Sequence, residues 1–177
     1  MPDISRRVVA DRSGREIADL QAHFGHEIRT TVYFYNCERV LAAPLTGTPG
    51  NIHAELRAPM VEDEPVSDEN LGYIALQSLL SFNSEPVPSL RDSKRSDWTT
   101  YKASGAKSLK AFNGATIAVS LQTEHGGIKL EAASMLPEDS VFAVRAWAPI
   151  SIVHSELGQL IRKLIRGAVT LRDAGIV

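Results

Sequence analysis

Residues Ala115 to Thr123 and Ile128 to Ala133 form two β-prone runs separated by Glu124-His125-Gly126-Gly127. The two glycines allow the positive φ that a tight hairpin turn requires, so the runs are expected to pair antiparallel. A lone hairpin is marginal in water and needs further strands or a helix against its apolar face. The rest of the chain supplies both. Thr31-Val32-Tyr33-Phe34-Tyr35 is β-branched and aromatic, Asn36-Cys37-Glu38 can turn the chain, and Arg39-Val40-Leu41-Ala42 can pair back. After a loop marked by Pro44, Gly47, Pro49 and Gly50, Ile52 to Ala58 alternates Ile52, Ala54 and Leu56 against His53, Glu55 and Arg57. That is the period of a strand with one wet face. Val141 to Trp147 and Ile150 to Val153 predict a further strand or two, bent at Pro149.

Two amphipathic helices accompany these strands. Ser67 or Asp68 can cap a helix running to about Phe82, with Leu71, Ile74, Ala75, Leu79 and Phe82 on one face. Ser155 can cap a second, with Leu157, Leu160, Ile161, Leu164 and Ile165 on one face and Gly167 weakening its end. Both open on a Leu-Gly pair, Leu71-Gly72 and Leu157-Gly158, and a glycine one turn into a helix lets it approach a sheet closely. A short helix from Ser108 to Phe112, stopped by Asn113-Gly114, lies between them. Residues 1–28 read as an irregular arm with a turn or two of helix, interrupted at Ser13-Gly14. Residues 29–177 read as a single α+β domain, a mostly antiparallel sheet with helices packed against it.

The chain's 177 residues, 44% of them apolar and 23% charged, suffice to bury a core without staples. Cys37 is the single cysteine, so an internal disulfide is excluded and a reducing compartment fits. No apolar run approaches the roughly 20 residues of a membrane span. Arginines at 6, 7 and 12 are not followed by the apolar stretch of a secretory signal, so a soluble, cytoplasmic protein is expected.

Catalytic constellations are sparse. Cys37 carries no local activation signal and reads as a lone buried or half-exposed thiol. His23 and His26 are three apart, a spacing that chelates a metal on a helix, but no third ligand accompanies them; they read as solvated surface residues, with a metal-dependent enzyme as a third option. His53, His125 and His154 are scattered. No phosphate-binding glycine loop and no nucleophile elbow occurs. The expectation is a binding protein, not an enzyme, with no catalytic residues, no metal and no cofactor.

Charge is distributed unevenly although the formal net is −2. Glu55 to Glu69 holds six acids and one base, a local charge of −5, whereas Arg91 to Lys110 holds six bases and two acids, a local charge of +4. Opposed segments of this kind can steer a charged partner. The basic segment 91–110 also contains Trp98 and Tyr101, and aromatics among lysines can stack bases, so a small nucleic-acid-binding protein is one reading. The acidic segment instead suits a basic protein partner.

The order of features carries a resemblance. Leu71-Gly72 opens a helix; an aromatic and basic stretch runs from Trp98 to Lys110, with Lys107-Ser108 and Phe112 in a short helix. Ile117-Ala118-Val119-Ser120 and Ile128-Lys129-Leu130 follow as paired strands, and Ser155-Glu156-Leu157-Gly158 opens the last helix. This run, about Asp68 to Val169, resembles the immunity proteins of bacterial contact-dependent growth inhibition systems, the CdiI family. The resemblance implies a cytoplasmic α+β protein that binds and neutralises the C-terminal toxin domain, often a nuclease, of its cognate surface effector. Nuclease clefts are basic, so Glu62, Asp63, Glu64, Asp68 and Glu69 are the expected toxin-binding residues. Nucleic acid and membrane are not expected partners.

Overall fold

The computed structural model describes residues 4–47, 53–84, 94, 97–135 and 143–175, with backbone alone for residues 4–11 and 84. Pro49-Gly50, Ile52, the prolines at 86 and 88, Arg91, Arg95 and Val141 fall outside the described residues.

A six-stranded sheet organises the chain in the order β5 (Met60–Asp63), β2 (Arg39–Pro44), β1 (Arg29–Tyr35), β7 (Thr116–Glu124), β8 (Gly127–Ser134), β9 (Val144–Pro149), every neighbouring pair antiparallel. Its centre is β1, flanked by β2 and β7, with β8 beyond β7. The expected hairpin is β7-β8. The positive φ values fall at His125 and Gly126, while Gly127 already belongs to β8, where a Cβ would come within 2.9 Å of the Ala148 carbonyl oxygen. A small second sheet joins β3 (Thr46–Gly47) antiparallel to β4 (His53–Ala54) and parallel to β6 (Asn83–Ser84).

Three expectations change. The alternation after Ile52 produces only the two residues of β4. The acidic stretch read as loop instead contains β5 (Met60–Asp63), an edge strand whose charges fit its exposed position. The strand expected at Ile150 to Val153 is a turn, because β9 (Val144–Pro149) ends at its proline.

Helices α2 (Asp68–Leu80) and α5 (His154–Asp173) cover the face carrying Val32, Val40, Val119, Leu121, Ile128 and Leu130. Ser67 caps α2, its side chain accepting from Asn70 N; α5 starts one residue before Ser155, which therefore lies inside its first turn. Large apolar side chains buried here contribute roughly 1.5–3 kcal/mol each. Thr30 fastens α2 to the sheet, its hydroxyl donating to Ala43 O and sitting 2.6 Å from Ser78 Oγ.

The glycine pairs adjoin a helix, not the sheet. A Cβ at Gly72 would lie 2.6 Å from the carbonyl carbon of His154, and one at Gly158 would lie 2.7 Å from that of Asp68. Gly72 faces the start of α5 and Gly158 the start of α2. The helices therefore run antiparallel and overlap at their N-terminal ends, each extending past the other toward its C-terminus. Gly167 does not end α5.

The N-terminal region is a 21-residue helix, α1 (Ile4–Phe24), rather than an arm with a turn or two. Ser13-Gly14 does not break it. Both residues are buried inside the helix, and a Gly14 Cβ would sit 3.4 Å from the Ile150 carbonyl oxygen, so α1 packs here on the backbone at 150–151. Ile17 enters the main core.

The other face of the sheet is covered in part by α3 (Thr99–Ser104), within the basic segment where no helix was expected, and by α4 (Leu109–Ala115). α4 is capped by Ser108 and continues through Asn113-Gly114. Phe112 from α4 joins Tyr33, Leu41 and Ala43 in a second, smaller core.

Candidate functional site

The five acidic residues do not form one surface. Glu62 and Asp63 are consecutive on β5 and point to opposite faces, as strand geometry requires. Glu62 is opposite Val40, on the helix side, and Asp63 is opposite Arg39, with Nε to Oδ1 at 2.7 Å. Glu64 and Asp68 converge on Arg162 of α5, which reaches Glu64 Oε1 at 3.0 Å and Asp68 Oδ1 at 2.9 Å and donates to the Val66 carbonyl. Glu64 Oε2 also accepts from Val66 N at 2.7 Å. Glu69 Oε1 is 3.4 Å from His154 Nδ1. Four of the five thus have intramolecular partners, and Arg162, at the end of the helix overlap, is shared by two of them, one positive charge between two negative ones. The side chains of Asp63 and Glu69 remain 69% and 62% exposed.

The aromatic and basic segment is organised around a carboxylate missed in the sequence. Glu55, read there as part of a wet strand face, turns inward. It accepts hydrogen bonds from Tyr33 OH, Trp98 Nε1 (2.5 Å) and Thr100 Oγ1. Thr99 Oγ1 donates to the Arg57 carbonyl at 3.0 Å, so this segment and the start of α3 are clasped together. Burial pushes the Glu55 carboxyl above its usual range, and the three donors pull it back part way. Burial, then the neighbouring Glu55 charge, holds the Tyr33 phenol well above its usual range. Trp98 packs edge-on against Tyr33 and Phe112, with ring centroids 5.8 and 5.1 Å apart, and Tyr101 lies 6.0 Å from Phe112. Both aromatics are structural members of the second core, while Lys94, Lys102, Lys107 and Lys110 are exposed around them.

The histidines are dispersed. His23 ends the last turn of α1, but His26 lies beyond Gly25, where φ is +68°, so the two are not one turn apart on a helix. His26 packs 5.7 Å from Phe82 and its Nδ1 lies 2.8 Å from the Glu27 carbonyl oxygen. Among the described residues no group of three His, Cys, Asp or Glu is placed to hold a metal. Cys37 is exposed, in the β1-β2 turn at φ +56°, rather than buried or half-buried.

The half of the outer sheet face that no described helix covers, on β8 and β9, carries Trp147, which is 60% exposed and was read in the sequence only as part of a strand. Lys129 Nζ lies 5.9 Å from the Trp147 ring centroid, a cation–π distance. Arg145 Nε is 2.7 Å from Glu131 Oε2, and Lys129 Nζ is 3.9 Å from the same carboxylate. A large exposed aromatic within mixed charges, on an edge strand, has the composition of a protein-binding patch. The only sequence signal for it is an aromatic at the outward-facing position of β9.

Among the described residues no helix is long and apolar enough to cross a membrane. No family model matches the chain, and no curated protein matches it in sequence. Among solved structures the chain is similar to a Neisseria meningitidis protein of unknown function, with 16% identity, 76% of this chain and 90% of that one covered, and a TM-score of 0.55. It is also similar to a chain of the CdiA-CT/CdiI toxin and immunity complex from Yersinia pseudotuberculosis, with 15% identity, coverage of 79% and 96%, and a TM-score of 0.60. At these identities the likeness is one of fold alone, an α+β domain.

Proposed function

We propose that this chain is an immunity protein that binds the C-terminal toxin domain of a cognate contact-dependent growth inhibition effector in the cytoplasm and neutralises it by occlusion, without chemistry of its own. The observation carrying this reading is the fold likeness to a chain of a toxin and immunity complex, 96% of which is covered. The open face around Trp147 supplies a surface of the kind such binding needs. The acidic residues divide within this reading. Asp63 and Glu69 offer accessible carboxylates to a basic partner, Glu62 sits on the same edge strand as Asp63, and Glu64 and Asp68 hold the fold through Arg162. The nucleic-acid alternative loses support, because Trp98 and Tyr101 are engaged in packing.

The test is binding to the toxin domain encoded beside this gene. A nanomolar complex that abolishes toxin activity is the expected result. A neighbouring toxin that the purified chain neither binds nor inhibits would remove the proposal.

A further inference from the structure

Because α2 and α5 overlap only at their N-terminal ends, the C-terminal half of α5 extends beyond α2 and over the end of the sheet. A cavity of about 630 Å³ opens beneath it. This lies inside the roughly 300–1,000 Å³ range of small-molecule sites. Its floor is apolar, formed by Phe34 and Ile117 from the sheet and by Ile165 and Val169 from α5. Its charged lining is Arg162, Arg166, Arg172 and a single carboxylate, Glu64. Arg162 is shared between Glu64 and Asp68, so the positive character of the lining comes from Arg166 and Arg172. Among the described residues Arg172 meets only the adjacent exposed Asp173, at 3.5 Å, and exposed Arg166 has no ion partner. The α5 positions 162, 165, 166 and 169 recur at helical spacing, which places cations and apolar side chains along one groove.

We infer that this cavity binds an anionic amphiphile, a carboxylate or phosphate head on an aliphatic or aromatic body, with the head on Arg166 and the body on the Phe34, Ile117, Ile165 and Val169 floor. An apolar body alone would leave the cation unanswered, and a compact anion would leave the floor wet. Only a molecule with both parts satisfies both, and burial of the body against this floor provides most of the affinity. The inference is independent of the toxin reading and concerns a different face of the molecule from Trp147.

Cys37 lines the same cavity and is the only cysteine, so its alkylation reports on this place alone. Maleimide labelling of the full chain would be followed with decanoate, decyl phosphate or neutral decanol, each at an equal submicellar concentration. The anions should slow labelling at least about fivefold at saturation and decanol less, and comparison of the two heads distinguishes carboxylate from phosphate. Arg166→Glu, an exposed change that preserves the fold, should weaken protection about fivefold, the scale of one solvent-facing ion pair. Val169→Glu, with its fold checked by circular dichroism, should abolish protection. Failure of both anions to protect, equal protection by decanol, or unchanged protection in Arg166→Glu would each overturn the inference.

Discussion

Gly158→Ala tests the helix overlap on which the other packing depends. In an unconstrained helix this substitution stabilises by about 1 kcal/mol, since alanine restricts the unfolded chain and favours helix. Here the new methyl would lie 2.7 Å from the carbonyl carbon of Asp68 and closer still to its oxygen, where real Cβ atoms essentially never come within 3.0 Å. The obstacle is helix backbone, which no rotamer change removes. Separating the helices by on the order of 1 Å would loosen the packing of Leu71, Ala75, Leu157 and Ile161 and lengthen the Arg162 bonds to Asp68 and Glu64; dense interiors transmit such shifts poorly. Overpacking plus loosened contacts should outweigh the propensity gain and leave a net loss of about 3 kcal/mol, or a fall in Tm of about 6–12 °C for a chain of this size. Urea and thermal unfolding followed by far-UV circular dichroism would measure it. Gly114→Ala is the control, since nothing lies within 4 Å of a Cβ there, and it should be neutral or stabilising. Gly72→Ala opens the same helix pair, so Gly72→Ala/Gly158→Ala should cost clearly less than the sum of its parts. A Gly158→Ala protein as stable as the parent would refute the close-approach argument.

Four further outcomes follow from the structure. Glu55→Ala leaves the Tyr33, Trp98 and Thr100 donors without their acceptor and should cost about 2–4 kcal/mol, with loss of near-ultraviolet dichroism from Trp98. The folded-state pKa of Glu55 lies above its unfolded value, so its contribution to stability is greatest below the unfolded pKa and falls as pH rises through the folded one. The stability of the parent relative to Glu55→Gln, measured in urea, should therefore improve from pH 7 to pH 5. Arg162→Met leaves Glu64 and Asp68 unpaired and should cost about 2 kcal/mol, less than a fully buried pair because the side chains are partly exposed; urea unfolding checks it. Trp147→Ala should alter stability by under about 0.5 kcal/mol yet weaken a toxin complex by at least about 2 kcal/mol, separating fold from interface by calorimetry.

The elements legible in the sequence are those whose local chemistry and tertiary role agree. The β7-β8 hairpin has a turn with glycine and a clean apolar alternation, and α2 has both a serine cap and a continuous stripe. The misread elements are those whose residues answer to something distant. Ser13-Gly14 looks like a helix break, but both residues are buried inside α1, with Gly14 packed on the backbone at 150–151. Met60–Asp63 looks like a solvated loop because an edge strand tolerates acids that a central strand would not. Glu55 looks like the wet side of a strand; the donors that draw it inward come from β1 and from a helix more than forty residues on. The two Leu-Gly pairs are visible as a pattern, but each glycine packs on the first residue of the other helix, a contact between positions far apart in the sequence.

Charge counted along the chain overstates what a partner can meet. The −5 of the acidic segment is reduced by Arg39, by Arg162 and, when it is protonated, by His154, all from elsewhere in the sequence. What remains accessible, mainly Asp63 and Glu69, is solvated and screened, and charges of this kind act on the approach of a partner more than on the lifetime of a complex. Lifetime depends on area that is dry once bound, and Trp147 on the open half of the sheet offers that area without removing any internal bond. The helix overlap ties these features together. It places Arg162 between Glu64 and Asp68, and it carries the rest of α5 out over the sheet's end, where Arg166 has no ion partner among the described residues. A chain with near-zero net charge therefore offers two separate surfaces, an aromatic patch suited to a protein and a cationic cavity suited to an amphiphile.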